Sequence, residues 1–310
     1  MPENKVFDDL SALITEGRNP RTTNIDLMST DEIIQLINDE DRVVAEAVKK
    51  ELPKISRAVD MIVGAFREQG RLIYVGAGTS GRLGMYDAAE CPPTFGVDPE
   101  MVTAIIAGGS NALVVSIEGA EDDEMAGRED LRRVLKSNKD VVCGIAASAR
   151  TPYVRGALDE AGAAGAKKII IVCNPAEELK IDVDVVIGPV TGPEVIMGST
   201  RMKAGSAQKM ILNMLTTASM VKIGKVYENL MVDLKLNSKK LTERAKKLIM
   251  IAAAVDYEKA SDLLVNSGGS VKTAIFMGKT GCSVSDARNF IDQSDGFLRK
   301  AIRDWELSEG

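Results

Sequence analysis

Histidine is absent from the 310-residue chain. That omission excludes Ser–His–Asp and Cys–His nucleophile couples and every imidazole-ligated metal site. Proton transfer must therefore run on Glu, Asp, Lys, Tyr, Cys or water. The four cysteines, Cys91, Cys143, Cys173 and Cys282, form no C-x-x-C pair, and without histidine a zinc site would need all of them. Cys143 and Cys173 lie in the strand-like runs VVCGI and IIIVC and read as reduced core residues, the ordinary cytosolic state. No apolar stretch reaches the ~18 residues of a membrane span, and MPENKVFDDL lacks the basic-then-apolar order of a signal peptide. A soluble, cytoplasmic protein with no membrane partner is expected. Basic side chains number 39 against 45 acidic, a formal charge of -6, so the whole molecule repels polyanions. Nucleic-acid binding would need a local patch, and none is expected.

With 45% apolar residues, the length suits one large α/β domain plus a smaller one. Ser29 with Glu32 makes a capping box ahead of an amphipathic helix. A second helix starts near Pro53, carries Ile55, Ala58, Val59, Ile62, Val63 and Phe66 on one face, and stops at Gly70. Five short apolar runs follow, Leu72 to Val75, Val102 to Ala107, Val141 to Ala146, Lys168 to Val172 and Val185 to Ile187, with helical patterns between them. Strands buried on both faces and alternating with helices predict a doubly wound, three-layer α/β/α sandwich on a five-stranded parallel sheet. Its ligand site belongs beyond the carboxyl ends of the strands. A long helix from about Thr200 to Ile223 is apolar around most of its circumference. From Asn237 the pattern turns to short helices with glycine-rich joints. The expected divisions are an N-terminal helical segment 1–50, the sheet domain 51–236 and a small helical domain 237–310. Lys235, Lys239, Lys240, Arg244, Lys246 and Lys247 cluster at that junction; without interleaved aromatics they read as a solvated helix face.

The first strand runs into GAGTSGRLG, where Gly76, Gly78 and Gly81 match the dinucleotide fingerprint. The acid that should end the next strand is missing, because that strand ends IIAGGSN and Asp98 lies on its wrong side. Thr79 and Ser80, at a helix N-terminus, instead suit a small phosphate monoester, although a glycine-dependent tight turn would explain the glycines alone. GIAASARTPYV places Ser148 and Thr151 in a second loop, with Thr151 and Pro152 as N-cap and first helical residue. In a sheet whose order reverses between strands one and three, both loops converge on one anion. GPEVIMGSTRMKAGSAQK adds Ser199, Thr200, Arg201 and Lys203 at the start of the long helix, as substrate-binding candidates or as caps and surface charges. Two carboxylates remain for acid–base work. Glu90 sits in DAAECPPT, before prolines expected to end its helix, where apolar neighbours would raise its pKa. Glu121 sits in IEGAEDDE, where neighbouring acids would raise its proton affinity or simply complement a helix N-terminus.

The segments LITEGRNP, INDED, RLIYVGAGTSGRLGMYDAAECPPTFGV, EGAED, GIAASARTPYV, CNP, GPEVIMGSTRMKAGSAQKMILNMLTT and GKVYENLMVD span nearly the whole chain. In that order they resemble the N-acetylmuramic acid 6-phosphate etherases of the sugar isomerase domain superfamily, relatives of the glucokinase regulatory protein. The resemblance implies a homodimeric, metal- and cofactor-independent lyase of cell-wall amino sugar recycling, which removes the lactyl ether of its phosphosugar substrate. It also implies that Glu90 is the general acid and Glu121 a catalytic acid–base group. A phosphosugar aldose–ketose isomerase and a noncatalytic sugar-phosphate sensor are the alternatives. Related loops read Ser-x-Ser-Gly-x-Thr where this chain has Ala146 and Ala149; a positive φ at Ala149 would cost about 1 kcal/mol or more.

Overall fold

In a computed structural model of the chain, the described residues are 13–148, 150–175, 181–236 and 238–309. The MPENKVFDDL segment and Ala149 lie outside them. The chain divides into two compact units, one running up to Ala88 and resuming over Glu100–Thr216, the other built from Ala89–Pro99 and the chain from Thr217 onward.

The first unit contains helices α1 (Thr30–Lys50), α2 (Leu52–Arg67), most of α3 (Gly78–Phe95), α4 (Glu124–Val134), α5 (Pro152–Ala163) and the start of α6 (Lys203–Lys222). Strands β1 (Leu72–Gly76), β2 (Val102–Ile106), β3 (Val141–Ile145), β4 (Lys167–Ile171) and β5 (Val185–Ile187) form a wholly parallel sheet in the order β2-β1-β3-β4-β5. Alternate strand residues face opposite layers. Ile73, Val75, Val142 and Ile170 pack with Leu131 of α4 and with Tyr153, Val154, Ala157 and Leu158 of α5. Gly144 lets α5 close onto this face, since a Cβ there would meet Val154 and Leu158. On the other face Tyr74 and Ile145 underlie α3 at Gly84, where an added Cβ would lie 3.0 Å from Tyr74. The expected α/β/α sandwich is thus present.

Local signals set the helix ends. The Ser29–Glu32 capping box is formed in both directions. Beyond α2 the left-handed residue is Gln69, with φ of 63°, rather than Gly70. Gly70 is required for another reason: a Cβ there would come within 2.2 Å of the Lys139 carbonyl oxygen. The prolines of ECPPT do not end α3, which continues through Pro92 and Pro93 to Phe95. Proline φ fits a helix; what is lost is the pair of N–H groups that would bond the carbonyls of Ala88 and Ala89. The long apolar helix begins at Lys203, three residues later than expected, because the buried Glu194 carboxylate accepts from Lys203 N at 2.9 Å and Ala204 N at 3.0 Å.

The second unit adds the hairpin β6 (Val226–Tyr227) and β7 (Leu230–Met231) and helices α7 (Lys239–Ala253), α8 (Tyr257–Asn266), α9 (Val271–Thr280), α10 (Val284–Gln293) and α11 (Leu298–Glu309). Its core packs Ile249, Leu263 and Ile275 around Phe276, which stacks on Phe290 and meets Trp305 edge-on. Tyr227, Val232 and Leu234 belong to that core, so the unit begins well before Asn237. The basic cluster is mostly a solvated face, with Lys246 laid over the Tyr257 ring. Buried Lys272 donates to the Gly224 carbonyl at 2.9 Å and to Asp233 at 2.7 Å. Gly96, at φ of 66°, abuts Asp233 so closely that a Cβ would fall 1.9 Å from its carbonyl oxygen. Gly96→Ala combines left-handed strain with a backbone clash, and a destabilisation of about 3 kcal/mol is expected in urea unfolding.

Candidate active site

The sheet reverses its direction of growth at β1, with β2 on one side and β3 to β5 on the other. Gly76 at the end of β1 pairs with Ile145 at the end of β3. The next loops therefore leave from neighbouring strand ends, about 4.8 Å apart, at the position where open α/β sheets collect ligands.

In the first loop Gly78 has φ of 51°, and Gly76 and Gly81 are pressed together: a Cβ on Gly76 would lie 2.6 Å from Gly81 N. Each fingerprint glycine thus has a backbone or packing reason independent of any dinucleotide. Thr79 and Ser80 are half-buried at the start of α3. Ser80 Oγ donates to Gln208 Oε1 at 2.9 Å, and the Thr79 methyl lies 3.4 Å from where a Gly205 Cβ would stand, so the start of α6 packs against this loop. In the second loop Ser148 Oγ accepts from Arg150 N at 3.4 Å. Thr151 occupies the N-cap position of α5, with Pro152 next, but its hydroxyl makes no capping bond.

The third segment divides. Ser199 is half-buried and Arg201 exposed. Lys203 does not serve as a free substrate cation: it is buried, and its Nζ donates to Glu40 Oε2 at 2.7 Å and to the Pro193 carbonyl at 3.1 Å. Its charge is spent on a carboxylate of α1, which the sequence separates from it by 163 positions.

Glu90 and Glu121 belong to different units, and both are exposed. The apolar neighbours of Glu90 do not enclose it, because Ala88 and Cys91 turn into the core while Glu90 faces outward on the helix. The burial expected there is absent. In the acidic loop Asp123 caps α4 by accepting from Ala126 N, and Glu124 pairs with Arg128 at 2.9 Å. Glu121 lies in the short turn Ala120–Asp122 and has no hydrogen bond or ion pair among the described residues. The loop leading to it is held by Arg82, which donates to the carbonyls of Leu113 and Val115.

Residues 54–162 match the family model of the glucokinase regulatory protein N-terminal SIS domain. An N-acetylmuramic acid 6-phosphate etherase of Salinibacter ruber is 53% identical over 304 residues, 97% of this chain and 98% of that one. One from Clostridioides difficile is 52% identical, over 96% of this chain and 98% of that one. The chain belongs to the N-acetylmuramic acid 6-phosphate etherase family. Among solved structures, the phosphoheptose isomerase of Neisseria gonorrhoeae matches 62% of the chain and 99% of its own length at 16% identity, with a TM-score of 0.47.

Three supporting residues of this etherase-family chain escaped the sequence reading. Gln208 is 1% exposed, and its Nε2 has no hydrogen-bond partner among the described residues. It falls on the buried stripe of α6 with Ala204, Ala207, Ile211, Leu212 and Leu215, so the available signal was a polar residue at a core position. Asn174, in the CNP segment, donates to the Ala147 carbonyl at 2.9 Å and to Thr15, and accepts from Ile14 N, tying down the loop that carries Ser148. Asp87 of α3 accepts from Tyr74 of β1 at 3.0 Å and from Thr216 of α6 at 3.3 Å. Burial pushes its pKa up despite those two bonds.

Burial would likewise raise the pKa of Glu40, but the hydrogen bond and charge of Lys203, the Asn19 amide and the charge of Arg21 outweigh it and hold the pKa below the carboxylate range. A depressed pKa contributes stability that is present above the unfolded value of about 4.3 and lost as pH falls through the folded one. Lys203→Met removes the buried cation from the Glu40 carboxylate and leaves it only the exposed Arg21 and the Asn19 amide, with an expected cost of about 3 kcal/mol at neutral pH. Urea unfolding at a series of pH values should show that deficit narrowing as pH falls below the ordinary glutamate range and through the depressed pKa of Glu40 in the unaltered protein.

Proposed function

We propose that the chain is a carbon–oxygen lyase that cleaves the D-lactyl ether of N-acetylmuramic acid 6-phosphate, giving N-acetylglucosamine 6-phosphate and D-lactate. The observation that carries this reading is agreement at about half of all positions, over nearly the full length of both chains, with proteins named for that substrate and reaction. The same observation disfavours the isomerase and sensor readings.

An ether oxygen is a poor leaving group, and the fold supplies no imidazole to help it. Opening the sugar ring to its aldehyde makes the C2 proton removable through an enolate-like state. Glu121 takes that proton, the C3–O bond breaks, and Glu90 protonates the departing lactate oxygen. Water then adds across the C2–C3 double bond, its hydroxyl going to C3 and a proton returning to C2, with the two carboxyls in reversed roles. The net reaction consumes one water and oxidises nothing. Both glutamates being exposed and unpaired among the described residues suits groups that exchange protons with substrate.

Thr79, Ser80, Ser148 and Thr151 at the paired strand ends offer hydroxyls and helix N-termini to the 6-phosphate, with Ser199 and Arg201 available from the segment before α6. Their contribution is orientation of the sugar rather than bond making. No helix among the described residues is long and apolar enough to cross a membrane. The proposal includes a cytoplasmic homodimer, which sedimentation of the purified protein tests.

The decisive measurement is release of D-lactate from N-acetylmuramic acid 6-phosphate; a folded protein that releases none rejects the reading. Glu90→Gln and Glu121→Gln are each expected to lower kcat by about 10²–10⁴-fold while substrate still binds. Gln208→Leu is expected to act through Ser80, raising KM about tenfold with kcat within about twofold, and to add nothing to Ser80→Ala in the double variant.

A further inference from the structure

We propose that the helical unit carries a second ligand site, for an organic anion with an apolar body. A cavity of about 720 Å³ opens between the end of α6, the β6–β7 hairpin and the start of α11. Its size lies within the roughly 300–1,000 Å³ of small-molecule sites. Val221, Val226, Phe297 and Leu298 supply an apolar lining. Around them stand Lys222, Arg299, Lys300 and Arg303, faced by one lining carboxylate, Glu228. The chain as a whole carries -6, so this local excess of positive charge runs against its average.

Internal pairing does not use up that charge. Arg299 reaches Glu228 at 3.4 Å and Arg303 reaches Asp304 at 3.5 Å, in exposed pairs of little strength. Lys222 and Lys300 have no ion-pair partner among the described residues. The placement on α11 is also unfavourable for the empty helix: its first turn holds Arg299 and Lys300 and no acid, whereas the positive end of a helix dipole favours acids there. An anion seated at that end would satisfy the dipole and the cations together. The Arg299 guanidinium lies 5.5 Å from the centre of the Tyr227 ring, giving the site an aromatic wall beside a charge. Glu228, the lone lining acid, stands in the hairpin turn at φ of 55°, where Asn or Gly is preferred. Apolar lining with a cationic rim fits a carboxylate or sulfonate bearing a ring or branched acyl group; inorganic phosphate would satisfy only the rim.

The test is titration of the full-length protein with 8-anilinonaphthalene-1-sulfonate, followed by fluorescence. One saturable site is expected, weakened as salt rises from about 0.05 to about 0.3 M. The double variant Lys222→Gln/Lys300→Glu is expected to lose about tenfold or more in affinity. Because Lys300→Glu places an acid in the first turn of α11 and Lys222→Gln puts no acid in the last turn of α6, neither helix gains a charge at its unfavourable end, and an unchanged melting temperature separates lost binding from lost folding. Excess N-acetylglucosamine 6-phosphate is expected not to displace the probe, nor inorganic phosphate beyond its effect on ionic strength. Absence of saturable binding, an unchanged affinity in the double variant, or displacement by either phosphate compound would overturn the proposal.

Discussion

The hydrogen bonding of β1 on both sides is the constraint on which the sheet-bearing unit depends. Leu72 to Gly76 are buried, and their backbone groups are satisfied only because β2 and β3 flank them in parallel. A parallel neighbour on each side forces the chain to leave β1 and return twice through helical crossovers, growing the sheet in opposite directions. At the point of divergence the chain leaves for Thr79 and Ser80, and for Ser148 and Thr151, from neighbouring strand ends.

Behind that rim lies a layer of buried polar side chains that position rather than react. Asp87 joins α3 to β1 and α6, Glu194 fixes where α6 begins, Lys203 ties α6 to Glu40 of α1, and Asn174 holds the Ala147 carbonyl. Each acid in this layer is occupied by donors. Glu90 and Glu121 stand outside the layer, in water and without partners among the described residues. The contrast separates the buried acids that bridge one element to another from the exposed Glu90 and Glu121.

The helical unit follows a different logic. Its core is mainly aliphatic, with buried Phe276 at one side meeting the partly buried rings of Phe290 and Trp305. Four of its helices start at side-chain caps, Ser238, Asp256, Ser270 and Ser283. Helix α11 instead begins with cations, and there the cavity opens.

The sequence by itself determined the five strands, most helix ends, the two hydroxyl loops and the absence of imidazole chemistry, because those depend on local period, caps and residue identity. The motif segments likewise carried the family, which near-full-length identity then bore out. Tertiary structure alone decided how charge is used. Nothing near Lys203 in the chain announces Glu40, nothing near Ser80 announces Gln208, and Ala88 and Cys91 could not reveal that Glu90 between them faces outward. Pairing and burial are properties of surfaces brought together from distant parts of the chain, and a side chain's neighbours in sequence fix its helix face without fixing what covers that face.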